Sequence, residues 1–436
     1  MIRIGTNPRL VRITAAFLVP IAAAAGVWTP PAVLSTGGQG WEAAAALDGS
    51  GNALALWDER TSSDHLWSRS ETPQGVWGSV AQVSRALQTT SVFPAVRVTP
   101  AGFATAIWTD SDGVWTADRP PASNWNPAQL LIPGASTPIF VMDSQGDAVV
   151  VWTEGGSMAP HSTVMAVSRH AEGTWNAPQL VASGVHITAD HAGIAENGAV
   201  VVTWESYTAV CSEGFCEVSN FILHAARQDA DTAAWVDSGR LLGPDDDSHN
   251  ALAALDSAGA AMLVAQAASG AFVSTTEGAS GGAWSSFQPV ADPQSIAIVS
   301  DLASDHAGSV TFVYETIGFS TSQAFSVNGS ISGNQWSPPV VLSGNDASVS
   351  QVYFAVAPSG AALVVWLDSS VTPEIRVATR AAASEAWSSP LTVSAAGAAE
   401  TAPEAAAVNS AAKAIVVYSG YNSSGVHTEY AASYRP

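Results

Sequence analysis

The stretch Gly146-Asp-Ala-Val-Val-Val-Trp152-Thr-Glu154, then Val164-Met-Ala-Val-Ser-Arg169, then Gly173-Thr-Trp175-Asn-Ala-Pro-Gln-Leu-Val-Ala-Ser183, decides the architecture. It is one copy of a unit that recurs along the whole chain. The Gly-x-Trp position, or a variant of it, returns at Trp28, Trp77, Trp125, Trp175, Trp235, Trp284, Trp336 and Trp387, spaced 49, 48, 50, 60, 49, 52 and 51 residues apart. Upstream of it, a glycine precedes an aromatic by six residues: Gly51 and Trp57, Gly102 and Trp108, Gly146 and Trp152, Gly198 and Trp204, Gly308 and Tyr314, Gly360 and Trp366. The last copy has Ala412 and Tyr418, and the fifth departs, with Ala265 after Gly259. A self-similar period of about fifty residues marks a repeat architecture.

Each copy holds four short apolar runs, as in Trp41 to Leu47, Ala53 to Trp57, His65 to Ser70 and Val76 to Ser84. Turn residues such as Asp48-Gly-Ser-Gly-Asn52 and Thr72-Pro-Gln-Gly75 separate them. Runs of this length and composition read as strands joined by hairpins. Four antiparallel strands per copy are one blade of a β-propeller, and the fold expected is all-β with eight four-stranded blades. A solenoid of two-strand repeats is the alternative. The fifth copy is where the count could fall to seven. The eighth copy ends at Tyr430-Ala-Ala-Ser-Tyr-Arg435 without a fourth strand. Gly26-Val-Trp-Thr-Pro-Pro-Ala-Val-Leu-Ser35 matches Asn334-Gln-Trp-Ser-Pro-Pro-Val-Val-Leu-Ser343, so residues 26–35 are expected to complete the last blade, 401–436. Closure would remove the free sheet edges of an open array.

Residues 1–25 read as a secretory signal peptide, with Arg3, Arg9 and Arg12 ahead of an apolar stretch ending in Ala22-Ala-Ala-Ala25. An uncleaved anchor is the other reading. The expected mature protein is a single propeller domain, 26–436, secreted and without membrane insertion. The chain carries 15 basic and 37 acidic residues, a net charge of −22. Such a surface repels nucleic acid and anionic membranes. Cys211 and Cys216 close a short loop inside the longest insertion, and in an exported protein the pair is expected to form a disulfide. Zinc is not expected from this spacing.

Carboxylates recur just after the second-strand aromatic: Asp58, Asp110, Glu154, Glu205, Glu315 and Asp368. They are expected together on one rim, either binding a ligand or as solvated hairpin acids. No cofactor is called for. Calcium is the ion that acidic loops such as Asp245-Asp-Asp247 or Asp110-Ser-Asp-Gly113 could hold, although neither matches an EF-hand. Arginines recur near the end of the third strand, at Arg69, Arg119, Arg169, Arg227, Arg380 and Arg435, and periodic arginines point to pairing with a neighbouring strand. Asp48, Asp143, Asp256 and Asp305 read as turn residues. His161, His186, His191 and His249 fall in or beside loops, as ordinary surface residues or as contributors to a site. No catalytic motif occurs, and Trp57-Asp58 lacks the context of a WD40 repeat.

The unit resembles the tandem repeats of secreted bacterial propellers and, through them, sialidase-like propellers with Asp-boxes. Ser168-Arg-His-Ala-Glu-Gly-Thr-Trp175 is a degenerate box, keeping Ser168, Thr174 and Trp175 but placing His170 and Glu172 where the box has Asp and Gly. The resemblance implies the fold. A sialidase would also need clustered non-periodic arginines, for which Arg60, Arg97 and Arg376 are available. The function expected is non-catalytic recognition of a carbohydrate or an extracellular protein through the loop face. The alternatives are a sialidase-like glycoside hydrolase and a structural scaffold.

Overall fold

A computed structural model describes residues 26–60, 64–87, 92–155, 161–212, 215–229, 232, 234–241, 249–293, 295–318, 321–344, 347–394 and 399–436, with the side chains of 210–217 and 399–401 excepted. All regular structure among them is β, in eight antiparallel sheets of four or five strands. The sheets are the blades of a propeller. Blade 1 runs Gln39–Leu47, Ala53–Arg60, His65–Glu71 and Ala81–Gln82, from the axis outward, and each later blade repeats this order. The first strand of every blade contacts the first strand of both neighbours, and blade 8 contacts blade 1, so the ring is closed. The fifth copy is a complete blade, Ala265 notwithstanding.

The repeat glycine sits in the turn between the first two strands, with φ of 85° at Gly51, 89° at Gly146 and 87° at Gly308. Ala412 takes its place in blade 8 at φ 58°, so the turn keeps its left-handed residue even without glycine. Asp143 Oδ1 accepts the N–H groups of Gln145 and Asp147, both at 2.9 Å, and Asp256 and Asp305 hold their turns likewise.

Side chains alternate across a strand, so each second strand feeds two interfaces. In blade 1, Leu54 and Leu56 pack toward blade 2, while Ala53, Ala55 and Trp57 pack toward blade 8. Eight buried clusters result, one between each pair of blades. The second-strand aromatic always faces the preceding blade, and Trp57, Trp152 and Trp366 are at most 1% exposed.

The third-strand arginines are staples between blades, but they do not share one register position. Arg119, Arg169 and Arg380 lie opposite the residue four before the aromatic, and Arg69 opposite the residue two before it. These four reach the preceding blade: Arg119 donates to Ser70 Oγ at 2.8 Å, Arg169 to Asp118 at 2.9 Å, Arg380 to Asn328 at 2.6 Å and Arg69 to Val33 O at 2.9 Å. Arg227 lies opposite Val201, an odd offset, and reaches forward to Gly259 O at 2.7 Å in blade 5. Arg435, the last strand residue, also turns forward, to Glu71 of blade 1.

The closing strand is as expected. Val27 and Trp28 pair with Arg435 and Tyr434, then Ala32 and Val33 with Ala431 and Tyr430. Gln335–Trp336 and Val340–Val341 pair with the third strand of blade 6 in the same two steps. In both blades a Pro-Pro pair lies between the steps, and proline has no N–H to continue the ladder. Residues 1–25, the expected signal peptide, lie outside the described residues.

Candidate functional site

First strands carry β-bulges, where Glu42, Asn250 and Val352 drop out of the ladder and their N–H groups need other partners. Side chains supply them. Asp58 Oδ1 accepts the Glu42 N–H at 2.8 Å, Glu205 accepts that of Asn250, and Glu315 and Asp368 accept those of Val352 and Ser348. Asp110 takes the N–H of Ser111 and lies 3.4 Å from Arg85, which also pairs with Asp112. Five of the six expected binding carboxylates are therefore buried: Asp58, Asp110, Glu205, Glu315 and Asp368 are each under 9% exposed. Glu154 alone stands in solvent, accepting from Trp152 Nε1 at 3.2 Å.

The inner strands around the axis carry His191 and Arg97, named from the sequence, and Asp301 and Tyr353, which were not; Arg97 interacts electrostatically with Asp301 and His191, and Tyr353 with Glu404 and Glu42. His191, Asp301 and Tyr353 are first-strand residues of blades 4, 6 and 7, each opposite the residue just before the second-strand aromatic or its equivalent. Arg97, on the first strand of blade 2, lies across the ring from Asp301. Arg97 is exposed and Asp301 half-buried, both among the inner strands of the ring. Burial lowers the Arg97 pKa, partly offset by Asp301. Burial pushes Asp301 up to about 6, against the Leu302 N–H at 2.7 Å and the Arg97 charge. His191 is pushed down to about 4 by burial and by Arg97, so it is neutral near pH 7. Its Nδ1 accepts the Ala253 N–H at 3.1 Å, leaving the proton on Nε2. The Tyr353 hydroxyl is raised by burial and by Glu404 and Glu42. Next to His191, Asp190 is raised well above the carboxylate range by burial and by its bond to Glu205. The channel thus offers a cation, a carboxylate, a fixed imidazole donor and a phenol. Repetition hid Asp301 and Tyr353, because each occurs in one blade only. The register that His191, Asp301 and Tyr353 share against the repeat aromatic was the available signal, and Arg97, opposite Thr105, lies outside it.

The arginines named for a sialidase are mostly committed elsewhere. Arg60 lies 3.5 Å from Asp58 and over Trp41, and Arg376 lies 3.2 Å from Asp368. Only Arg97 of the three enters the channel. The box-like segment spans the turn from third to fourth strand in blade 3, where the Trp175 ring lies under Arg169 at 4.9 Å. Among the described residues no three carboxylate, histidine or cysteine side chains group as metal ligands. Asp245, Asp246 and Asp247 lie outside the described residues. So do the side chains of Cys211 and Cys216, whose backbones pair across the blade 4 hairpin.

No family model matches the chain. No curated protein matches its sequence. Solved structures do, as propellers. The Dos1 propeller aligns at TM-score 0.56 and 9% identity, over 93% of this chain and 94% of its own. The polysaccharide lyase Uly1 aligns at TM-score 0.50 and 9% identity, over 88% and 87%. The NanB sialidase of Streptococcus pneumoniae is looser, at TM-score 0.34 and 11% identity over 92% and 70%. The first two likenesses agree with the propeller fold.

Proposed function

We propose that this is an exported propeller that binds a saccharide at its channel, without turning it over. The channel group of Arg97, His191, Asp301 and Tyr353 carries the reading. A sugar presents hydroxyls that both donate and accept, and often a carboxylate. Arg97 and the His191 Nε2–H donate, Asp301 accepts, and the half-exposed Tyr353 ring offers a flat apolar face. A few convergent polar groups beside an aromatic are the usual make-up of a small-ligand site. The basic and then apolar start of the chain supports export. Uly1 acts on polysaccharide, which makes carbohydrate the ligand class to test first. A glycan array run with calcium and again with chelator tests the reading. Selective binding that Arg97→Ala abolishes is expected. Binding indifferent to Arg97→Ala, or a blank array in both conditions, overturns it. Cleavage of a bound glycan would replace it with the hydrolase reading.

A further inference from the structure

The second and third strands of blade 4, Val200–Ser212 and Phe215–Gln228, are 13 and 14 residues long, against 7 and 8 in blade 3. At their base the ladder slips between Ser206 and Thr208, which leaves Tyr207 outside the pairing. A bulge of this kind re-aims a side chain. Tyr207 turns toward the blade 3 to blade 4 connection, where its N–H bonds His186 O at 3.2 Å. The His186 ring stacks on it at 5.8 Å and 14°. Phe221, from the facing strand, lies 5.5 Å from Tyr207, and His249, which opens blade 5, lies 5.6 Å from Phe221. Three separate segments thus build one row of four rings, all half-buried.

Two further features mark the same place. His186 and Asn250 hold φ of 50° and 54°, a strained region for side chains that are not glycine. Four buried polar atoms here have no partner in the protein: His186 Nδ1, Thr188 Oγ1, Asp190 Oδ2 and His249 Nδ1. Buried polar atoms are nearly always bonded, so four together need explaining. Flat rings beside unmatched polar atoms suit a pyranose, whose apolar face stacks while its hydroxyls bond at the edge. Thr188 and Asp190 lie on Ile187–Ile194, the first strand of blade 4, between His186 of the row and His191 of the channel.

We propose that the His186–Tyr207–Phe221–His249 row is a stacking subsite for further sugar units of a chain whose end lies at the channel. The inference rests on the saccharide reading above. It makes the ligand an oligosaccharide, with affinity that grows with length.

The test is an array holding neutral and uronate oligosaccharides of one unit and of several units, probed with wild type, Tyr207→Ala, Phe221→Ala, Tyr207→Trp and Arg97→Ala. Wild type is expected to bind longer members about tenfold or more tightly than single sugars. Tyr207→Ala and Phe221→Ala should remove that gain and leave single-sugar binding intact, and Tyr207→Trp should keep it. Retained single-sugar binding shows that the alanine variants are folded. Length-independent binding by wild type, or a length gain that survives both alanine changes, overturns the subsite and leaves the channel reading standing if Arg97→Ala still abolishes binding. If Arg97→Ala binds as wild type, or nothing binds at all, both readings fall.

Discussion

Arg169 is the plainest case of one side chain joining two blades. Its side chain is 0% exposed and its guanidinium bonds both oxygens of Asp118, as well as Thr105 Oγ1, in the preceding blade. Strand alternation decides the direction of such a staple. An even offset from the repeat aromatic turns the arginine back, as in Arg169, and the odd offset of Arg227 turns it forward. Removing one partner of a buried pair strands the other, and here Asp118 keeps partial access to water. Arg169→Ala is therefore expected to cost about 3 kcal/mol, read by chemical denaturation. A loss under about 0.5 kcal/mol, the level of an ordinary surface pair, would contradict the staple.

Among the elements, the closing strand matters most, because it turns an open array into a ring. Leu34 is 1% exposed in the cluster between blades 8 and 1, and its N–H bonds Glu429 O at 2.8 Å. Thr36 N and Oγ1 and Gly38 N all donate to Glu59, so the following segment is tied to blade 1 as well. On the opposite face of the seam, the single lysine, Lys413, is buried and bonds Thr72 O at 3.2 Å, beside Glu71. A chain starting at residue 36 should lose the Leu34 burial, about 2–3 kcal/mol, and expose the edge of His427–Arg435. Melting temperature should drop and self-association appear in size-exclusion chromatography. An unchanged monomer of unchanged stability would refute the velcro role.

At the scale of the whole molecule, the seam, the channel and a blade 3 turn hold several carboxyls away from water. Burial pushes Asp58 and Glu404 up to about 7 and Asp143 and Asp301 up to about 6. Glu429 is 0% exposed, with neither carboxyl oxygen bonded to protein, and it is raised by burial and by Glu404, Asp58 and Glu59. A raised carboxyl keeps its proton in the fold after the unfolded chain has released it. Its stabilisation is full below the unfolded value, about 4, and is lost as pH rises through 6 to 7. His191, lowered to about 4, works the other way, costing stability as pH falls below its unfolded value. One such imidazole is outnumbered. Thermal melts should therefore show stability falling from about pH 5 to about pH 8, with Glu429→Gln flattening the slope. Stability that rises over this interval would refute the assignment.

The sequence by itself determined the ring. A glycine turn, an aromatic six residues on and a Gly-x-Trp strand recur because every blade meets its neighbours alike, so periodicity records the interfaces directly. It also placed the closing strand, since residues 26–35 had to resemble the fourth strand whose place they take. The turn role of Asp143, Asp256 and Asp305 was legible because the bonds are local. What only the tertiary structure decided lies where the pattern breaks or where faces alternate. Asp58, Glu315 and Asp368 recur in sequence like a rim, yet they bond backbone amides at or just before first strands, two of them at β-bulges where the ladder slips, and bulge positions are set by packing rather than by the repeat. Asp301 and Tyr353 are each unique to one blade and look incidental in a linear chain, while His191 and Arg97 were named without the partners that the ring gives them. Closing eight blades around an axis brings residues more than two hundred positions apart to one channel, where burial shifts their pKa values.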